Sequence, residues 1–380
     1  MSKKNLLLWV LLGWFSSGLD TQVYADFTTP IRVLLDRESR SVEIKSQDDF
    51  LLARWGKSMQ WKKLKNHLSL RYSLKKKPSP IFFKGGMSTR QKIYVNGKWY
   101  RGLIKLTPKG DSWMVTNIVN LEDYLAGNLA AEMNASWNLE ALKAQAVASR
   151  TYAKYMADHP KHAEYDLEKG TSDQVYRGVE AENVRALKAI KATAGEILRE
   201  KNKVVKIFYH SRCGGHTDNE MDVWNAANAK HAMVPCPYCQ KHPLPWETTV
   251  DLSKIRQSLS LPRSQRPLKI AATQLPSGRL GDIHFISDSK IISLPSDTLR
   301  SRLGYSNLKS TLFRWKVNQD SVTFQGTGRG HGVGMCQWGA QHLAKTGKSY
   351  RQILTHYYPR FELHHQKHPR KIPLKKIAAF

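Results

Sequence analysis

Glu132 is the residue of this chain best placed to do chemistry. It lies in the stretch Asn120 to Met156, NLEDYLAGNLAAEMNASWNLEALKAQAVASRTYAKYM, preceded by Ala130 and Ala131 and followed by Met133 and Trp137. A carboxyl group among apolar neighbours ionises reluctantly, stays protonated near neutrality and can serve as a general acid. Glu122, Asp123 and Glu140 of the same stretch read as solvated helix charges. With no convincing second carboxylate beside it, Glu132 suits a reaction in which one group gives a proton and later takes one back.

Sulfur and imidazole form a second group. The cysteines are Cys213, Cys236, Cys239 and Cys336. Cys236-Pro237-Tyr238-Cys239 has the spacing of a redox pair, but such a pair needs a helix starting at its first cysteine, and Pro243 and Pro245 follow at once. His210, Cys213, Cys236 and Cys239 together offer one nitrogen and three sulfurs. That set fits a closed, structural tetrahedral zinc site with no position left for substrate. Disulfides compete in an oxidising compartment, and Cys336 or His216 can stand in for His210. Two loops add polar groups: Gln174 and Tyr176 in TSDQVYRG, and His331 in a glycine-rich turn where Gly330, Gly332 and Gly334 let a polymer approach the backbone. The glycine spacing is neither a phosphate loop nor a dinucleotide fingerprint.

These groups need a frame. Asn120 caps a first helix with Leu121, Leu125 and Leu129 on one face, and Ser136 or Asn138 caps a second, alanine-rich helix over Ala141 to Ala157. Glu132 falls at their joint. Upstream, Ile31 to Leu35 and Ser41 to Lys45 read as strands. Asn96-Gly97 is a hairpin turn between Ile93–Val95 and Trp99–Leu106, and the lysine-rich run Lys62 to Pro80 reads as irregular, broken by Pro78 and Pro80. Downstream come a helix over Glu180 to Ala194 stopped by Gly195 and a hairpin from Ile197 to His210. Strand pieces follow at Leu268–Ala272 and Asp282–Ile286, with a helix near Leu299. A helix over Gln337 to Lys345 precedes a last one, which opens on a capping box of Ser349 and Gln352 and ends at Pro359. The expected class is α+β, with helical segments around Glu132 packed on β-hairpins. The expected division is a leader at 1–25, a basic β-rich region at 26–92, a catalytic domain at 93–360 holding a mixed segment at 247–318, and a basic tail at 361–380.

The chain carries 60 Lys and Arg against 31 Asp and Glu, a net charge of +29, with 41% hydrophobic and 10% aromatic residues. It is globular in composition, and its charge calls for a polyanionic partner: nucleic acid, anionic lipid or acidic wall polymer. Lys3 and Lys4, the apolar run Leu6 to Phe15 and Val23-Tyr24-Ala25 make a secretory leader with Asp26 as the mature start. An uncleaved anchor would equally place the body outside the cytoplasm. Export to the periplasm or cell envelope sets nucleic acid aside and favours wall polymer.

Several segments together resemble the sporulation stage II protein D family, also called the amidase-enhancer family. They are LEDYLAGNLAAEMNASWNLEALKAQAVASRTYA, TSDQVYRG, YHSRCGGHT with the later CPYC, and GRGHGVGMCQWGAQHLA with SYRQILTHYYP, between Tyr100 and Pro359. The resemblance implies a lytic transglycosylase that cleaves the MurNAc–GlcNAc bond of peptidoglycan glycan strands, above all strands stripped of stem peptides. It implies Glu132 as acid and base, Lys143 and Arg150 as supporting residues that hold glycan groups, and zinc in some members. A cell-wall amidase is the implied protein partner, and the alternative role is a non-catalytic wall-binding module that enhances that amidase. In such a reaction the C6 hydroxyl of muramic acid attacks its own C1, so the nucleophile comes with the substrate and the second carboxylate of ordinary glycosidases is not needed. The chain departs from the family at Asn134 and Asn138, where proline is frequent, and at Cys336, where serine is frequent.

Overall fold

Eight consecutive antiparallel strands precede the first helix, and together they lay down the floor on which Glu132 is later placed. The computed structural model describes residues 29–366 apart from 57–59, 73–78, 87–90, 228–229, 262–267 and 288–289. The leader expected at 1–25 lies outside the described residues, as does residue 367 onward of the tail. The strands are β1 (Pro30–Ser39), β2 (Ser41–Trp55), β3 (Lys62–Arg71), β4 (Ile81–Lys84), β5 (Ile93–Val95), β6 (Lys98–Tyr100), β7 (Leu103–Lys109) and β8 (Ser112–Asn120). Their order is β6-β5-β2-β4-β7-β8-β1, with β3 beside β2. Asn96 and Gly97 have φ of 44° and 94°, the left-handed pair that a two-residue hairpin turn requires.

Two expectations change here. Part of the lysine-rich run is a strand, because Leu64, Leu68 and Leu70 recur on one face of β3 and pack against the core while the basic residues face out. The boundary expected at 92/93 runs through a sheet: β1 pairs with β8, β2 with β5 and β4 with β7. One hydrophobic core extends from Ile31 to Phe361.

That core centres on the second helix. α1 (Leu121–Glu132) leads through a short turn to α2 (Leu139–Asp158), where the Asn138 side chain accepts the Glu140 N–H as a cap. α2 is buried along Ala141, Leu142, Ala144 to Ala148 and Ala153, and its alanines let α1 and later helices pack closely against it. β9 (Leu167–Glu168) adds a parallel ninth strand beside β1. The helix expected from Glu180 is split into a tight turn at Gly178–Ala181 and α3 (Val184–Ala192), because the Asn183 side chain caps α3 through the N–H groups of Arg185 and Ala186. The hairpin of β10 (Glu196–Glu200) and β11 (Lys203–Val204) turns through Lys201 and Asn202, and β12 (Tyr209–His210) follows. Two short helices, α4 (Glu220–Trp224) and α5 (Pro237–Lys241), precede a second core.

The second core is wider than the mixed segment expected at 247–318. It comprises β13 (Pro245–Asp251), α6 (Leu252–Ser258), β14 (Lys269–Gln274), β15 (Leu280–Ser287), β16 (Lys290–Pro295), α7 (Ser296–Leu303), β17 (Phe313–Val317) and β18 (Ser321–Thr327). Two three-stranded sheets, β13-β18-β17 and β14-β15-β16, enclose Ile255, Ile283, Phe285, Leu299, Val322 and Phe324. The unit closes on itself, with the Gly328 N–H donating to the Leu244 carbonyl at 2.9 Å. The chain then returns through β19 (Met335–Cys336), parallel to β12, into α8 (Gln337–Lys345) and α9 (Tyr350–Tyr357). The capping box of Ser349 and Gln352 forms as expected. β20 (Glu362–His365) pairs with β10, so the start of the expected basic tail is an ordered strand. The class is α+β.

Candidate active site

Glu132 is the last residue of α1, and Met133 turns the chain out of the helix in an extended conformation. The residue is partly exposed, but its carboxyl group lies in the shielded part of the site. Burial pushes the carboxyl up to about 7, against the opposing pull of the Val175 N–H and the Tyr209 hydroxyl. Near neutrality both protonation states are therefore populated, as a group that acts first as acid and then as base requires.

Three partners of Glu132 were not singled out from the sequence. The main-chain N–H of Val175 donates to Oε1, and the Tyr209 hydroxyl reaches the same carboxyl from β12. Gln337, the first residue of α8, donates from Nε2 to the main-chain carbonyl of Glu132 at 3.1 Å and to Gln145 Oε1 at 3.3 Å. Tyr209 and Gln337 both stand inside motifs quoted above, YHSRCGGHT and GMCQWGA. Their polar side chains in otherwise apolar, β-sheet or helix-start positions were the available signal.

The other expected site residues go elsewhere. Arg150 is fully buried, and all five of its N–H donors are engaged: Nε and Nη2 with Glu122 at 2.7 and 2.8 Å, the rest with Thr193 Oγ1 and the carbonyls of Ile190 and Glu196. It ties α2 to α1 and α3 and has no donor left for a sugar, which corrects its expected role. Glu122 is correspondingly an ion-pair partner rather than a free surface charge. Lys143 pairs with Glu140 at 2.7 Å and lies over the Tyr350 ring at the seam of α2 and α9. Tyr176 is buried, stacks on Tyr124 with ring centroids 5.1 Å apart and donates to Asn117 Oδ1 at 2.8 Å. It is a core residue, because its aromatic face finds better cover between α1 and the sheet than in solvent. Gln174 is buried too, bonded to Tyr124 and Tyr209, so it meets Glu132 only through Tyr209. Both placements correct the expected direct sugar contacts. His331 also serves the frame: Nε2 donates to the Tyr209 carbonyl at 3.0 Å and Nδ1 accepts the Val333 N–H at 3.1 Å. Burial pulls this imidazole down to about 4, so it is neutral.

The four cysteine sulfurs lie within 4.8 Å of one another, and Cys239 and Cys336 are 3.6 Å apart. The edge of a tetrahedron with metal–sulfur bonds of about 2.3 Å is roughly 3.8 Å, so the donor set suits a closed four-sulfur centre. Main-chain N–H groups of Gly215, Cys213 and Gly339 point at sulfur at 3.4 Å, and the buried guanidinium of Arg279 donates to the Cys213 carbonyl. Such donors and cations orient and stabilise thiolates. His210 is not in the cluster. Its Nδ1 faces the Val333 carbonyl at 3.1 Å and its ring faces His331, which leaves Cys336 as the fourth sulfur. The argument against a helix at the first cysteine of CPYC is also corrected: α5 opens with Cys236 as its cap. The four cysteines are free of disulfides.

Comparison with known proteins agrees with this architecture. A family model described as Stage II sporulation protein matches residues 109–199. The chain belongs to the stage II sporulation protein D family. It is 30% identical to the stage II sporulation protein D of Bacillus amyloliquefaciens over 257 residues, covering 63% of this chain and 73% of that protein. An uncharacterized protein of Brachyspira hyodysenteriae is 33% identical over 274 residues, 71% of this chain and 73% of that protein. The amidase enhancer of Bacillus subtilis (strain 168) is 29% identical over 330 residues, 72% of this chain and 45% of that protein.

Proposed function

We propose that the protein is an exported lytic transglycosylase of peptidoglycan, cleaving the MurNAc–GlcNAc bond of peptide-stripped glycan strands and leaving 1,6-anhydroMurNAc ends. The observation that carries this reading is the single shielded carboxyl of Glu132, poised near 7, whose hydrogen-bonding partners among the described residues are an N–H and a hydroxyl rather than a second carboxylate. Glu132 first gives its proton to the leaving glycosidic oxygen as the C1–O bond breaks. The carboxylate then takes the proton of the muramic C6 hydroxyl as its oxygen bonds to C1, so the ledger closes without water. The basic balance of +29 suits the anionic wall. No helix among the described residues is long and apolar enough to cross a membrane.

Cys213, Cys236, Cys239 and Cys336 would hold zinc, which with four thiolates supplies structural cross-linking and no catalytic position. Through Cys336, the cap of α8, a bound metal would fix the start of that helix and hence Gln337. A second reading, a non-catalytic wall-binding partner of a cell-wall amidase, is favoured by the name of one relative, the amidase enhancer. Purified protein mixed with peptide-free glycan strands separates the two. Mass spectrometry should find 1,6-anhydromuramyl ends; strands that bind and stay intact would rule out the enzyme, and ordinary reducing ends would mean hydrolysis.

A further inference from the structure

We infer that Tyr209 is a positioning residue for Glu132, its hydroxyl hydrogen directed onto the carboxyl by a hydrogen-bond chain that runs one way, from Tyr124 through Gln174 to Tyr209. The direction follows from chemistry. The Gln174 amide lies 3.4 Å from the main-chain carbonyl of Ser149 on the same side that meets Tyr209. A carbonyl only accepts, so that side is the NH2 group. Gln174 Nε2 therefore donates to the Tyr209 oxygen at 2.9 Å, while Gln174 Oε1 accepts the Tyr124 hydroxyl at 2.8 Å. With its oxygen already accepting, Tyr209 has its hydrogen to give.

The neighbouring hydroxyls are committed elsewhere. Tyr124, Tyr152 and Tyr209 all lie within electrostatic reach of Glu132. Tyr124 donates to Gln174, Tyr152 donates to Asp173 at 2.6 Å, and Tyr176 behind Tyr124 donates to Asn117. Among the described residues the other hydroxyl beside Tyr209 is that of Ser149, which accepts Gln145 Nε2 at 3.1 Å and donates its own hydrogen to the Tyr209 oxygen at 3.5 Å. The Tyr209 hydrogen is thus left for Glu132. Its backbone is fixed as well, by His331 on its carbonyl, and burial holds the phenol protonated well above the ordinary tyrosine range. With the Val175 N–H, Tyr209 occupies acceptor lone pairs of the carboxyl, so the proton in transit is confined to the side open to a ligand.

The consequence for catalysis rests on the acid–base reading of Glu132; the test below does not. Carbon-13 NMR of side-chain carboxyls, with Glu132→Gln assigning the resonance, follows Glu132 directly in the full-length protein. In Tyr209→Phe the carboxylate loses a donor, and Glu132 should titrate about one pH unit higher. An unmoved titration in folded Tyr209→Phe overturns the proposal. Should that variant not fold, Gln174→Met keeps the volume, frees the tyrosine to turn, and should move the titration the same way by less; no movement there overturns it too. On glycan strands the alkaline limb of kcat should follow the same shift with KM little changed. A titration shift in the variant, together with a wild-type protein that does not cleave glycan, would discard the enzyme reading and leave Tyr209 in place.

Discussion

The side-chain amide of Gln337 donates to the main-chain carbonyl of Glu132 at 3.1 Å across a sequence separation of 205 residues. Gln337 directly follows Cys336, one of the four clustered sulfurs. One peptide bond and one hydrogen bond therefore join the sulfur centre to the end of α1. The two chemical features of this chain are mechanically linked, although neither touches the other.

Replacing Glu132 by Gln should abolish glycan cleavage, a loss of at least about a hundredfold for a general acid, while binding persists. It should also stabilise the fold at neutral and alkaline pH. The folded carboxyl titrates at about 7 against an ordinary 4.5 because burial disfavours its charge. Below the lower value both states hold the proton. Between the two only the unfolded chain gives it up, so stability is lost as pH rises through this window and is flat above it, a total of roughly 3–4 kcal/mol. Calorimetry should find Glu132→Gln melting several degrees above wild type at about pH 8 and level with it at about pH 4. An equal difference at both would contradict the raised value.

The same group sets the pH dependence of turnover. Cleavage needs the protonated acid, so kcat/KM should fall about tenfold per unit once pH rises past about 7. A rate that stays level well into alkaline pH would assign the acid to another residue.

Arg150 should prove a stability residue. Arg150→Met strands two buried carbonyls and deprives Glu122 of its partner, though Glu122 has a side chain 44% exposed and can turn to water. A cost of roughly 2–4 kcal/mol is expected in denaturant unfolding, with KM for glycan strands unchanged in the folded fraction. A raised KM at unaltered stability would restore the glycan-holding role.

The sulfur centre makes a paired prediction. Cys336→Ser should lose bound zinc by elemental analysis and lower Tm, and His210→Ala should keep the metal. Chelation of the wild type should lower Tm similarly. Since Cys336 caps α8, metal loss should also reduce cleavage by loosening Gln337. Metal retained in Cys336→Ser but lost in His210→Ala would reverse the ligand assignment.

Local chemistry was readable before the structure. Asn96-Gly97, the cap at Asn138, the box of Ser349 and Gln352, and helix α8 at Gln337–Lys345 all formed where short-range rules put them, because turns and caps are decided within a few residues. Long-range partners were not. Nothing near Arg150 in sequence reveals that Glu122, Ile190 and Glu196 will converge on it, and Tyr176 has a polar neighbourhood in sequence but an aromatic one in space. The fourth sulfur shows the same limit. His210 is three residues from Cys213, whereas Cys336 arrives by pairing of β19 with β12, a contact that sequence spacing does not carry. The unusual cysteine was nevertheless visible, and it is the residue that completes the cluster.

The unit from Pro245 to Thr327 leaves and re-enters the main body side by side, at the hydrogen bond between Leu244 and Gly328. A body hung from two adjacent strands would swivel about that point. Arg279 opposes the swivel: its guanidinium fills the space where a side chain on Gly332 would otherwise sit and grips the Cys213 carbonyl. The glycine-rich loop behind Tyr209 is therefore braced from the inserted unit, by Arg279 at Gly332 and Cys213 and by the Lys309 carbonyl, which accepts the Gly330 N–H at 2.7 Å.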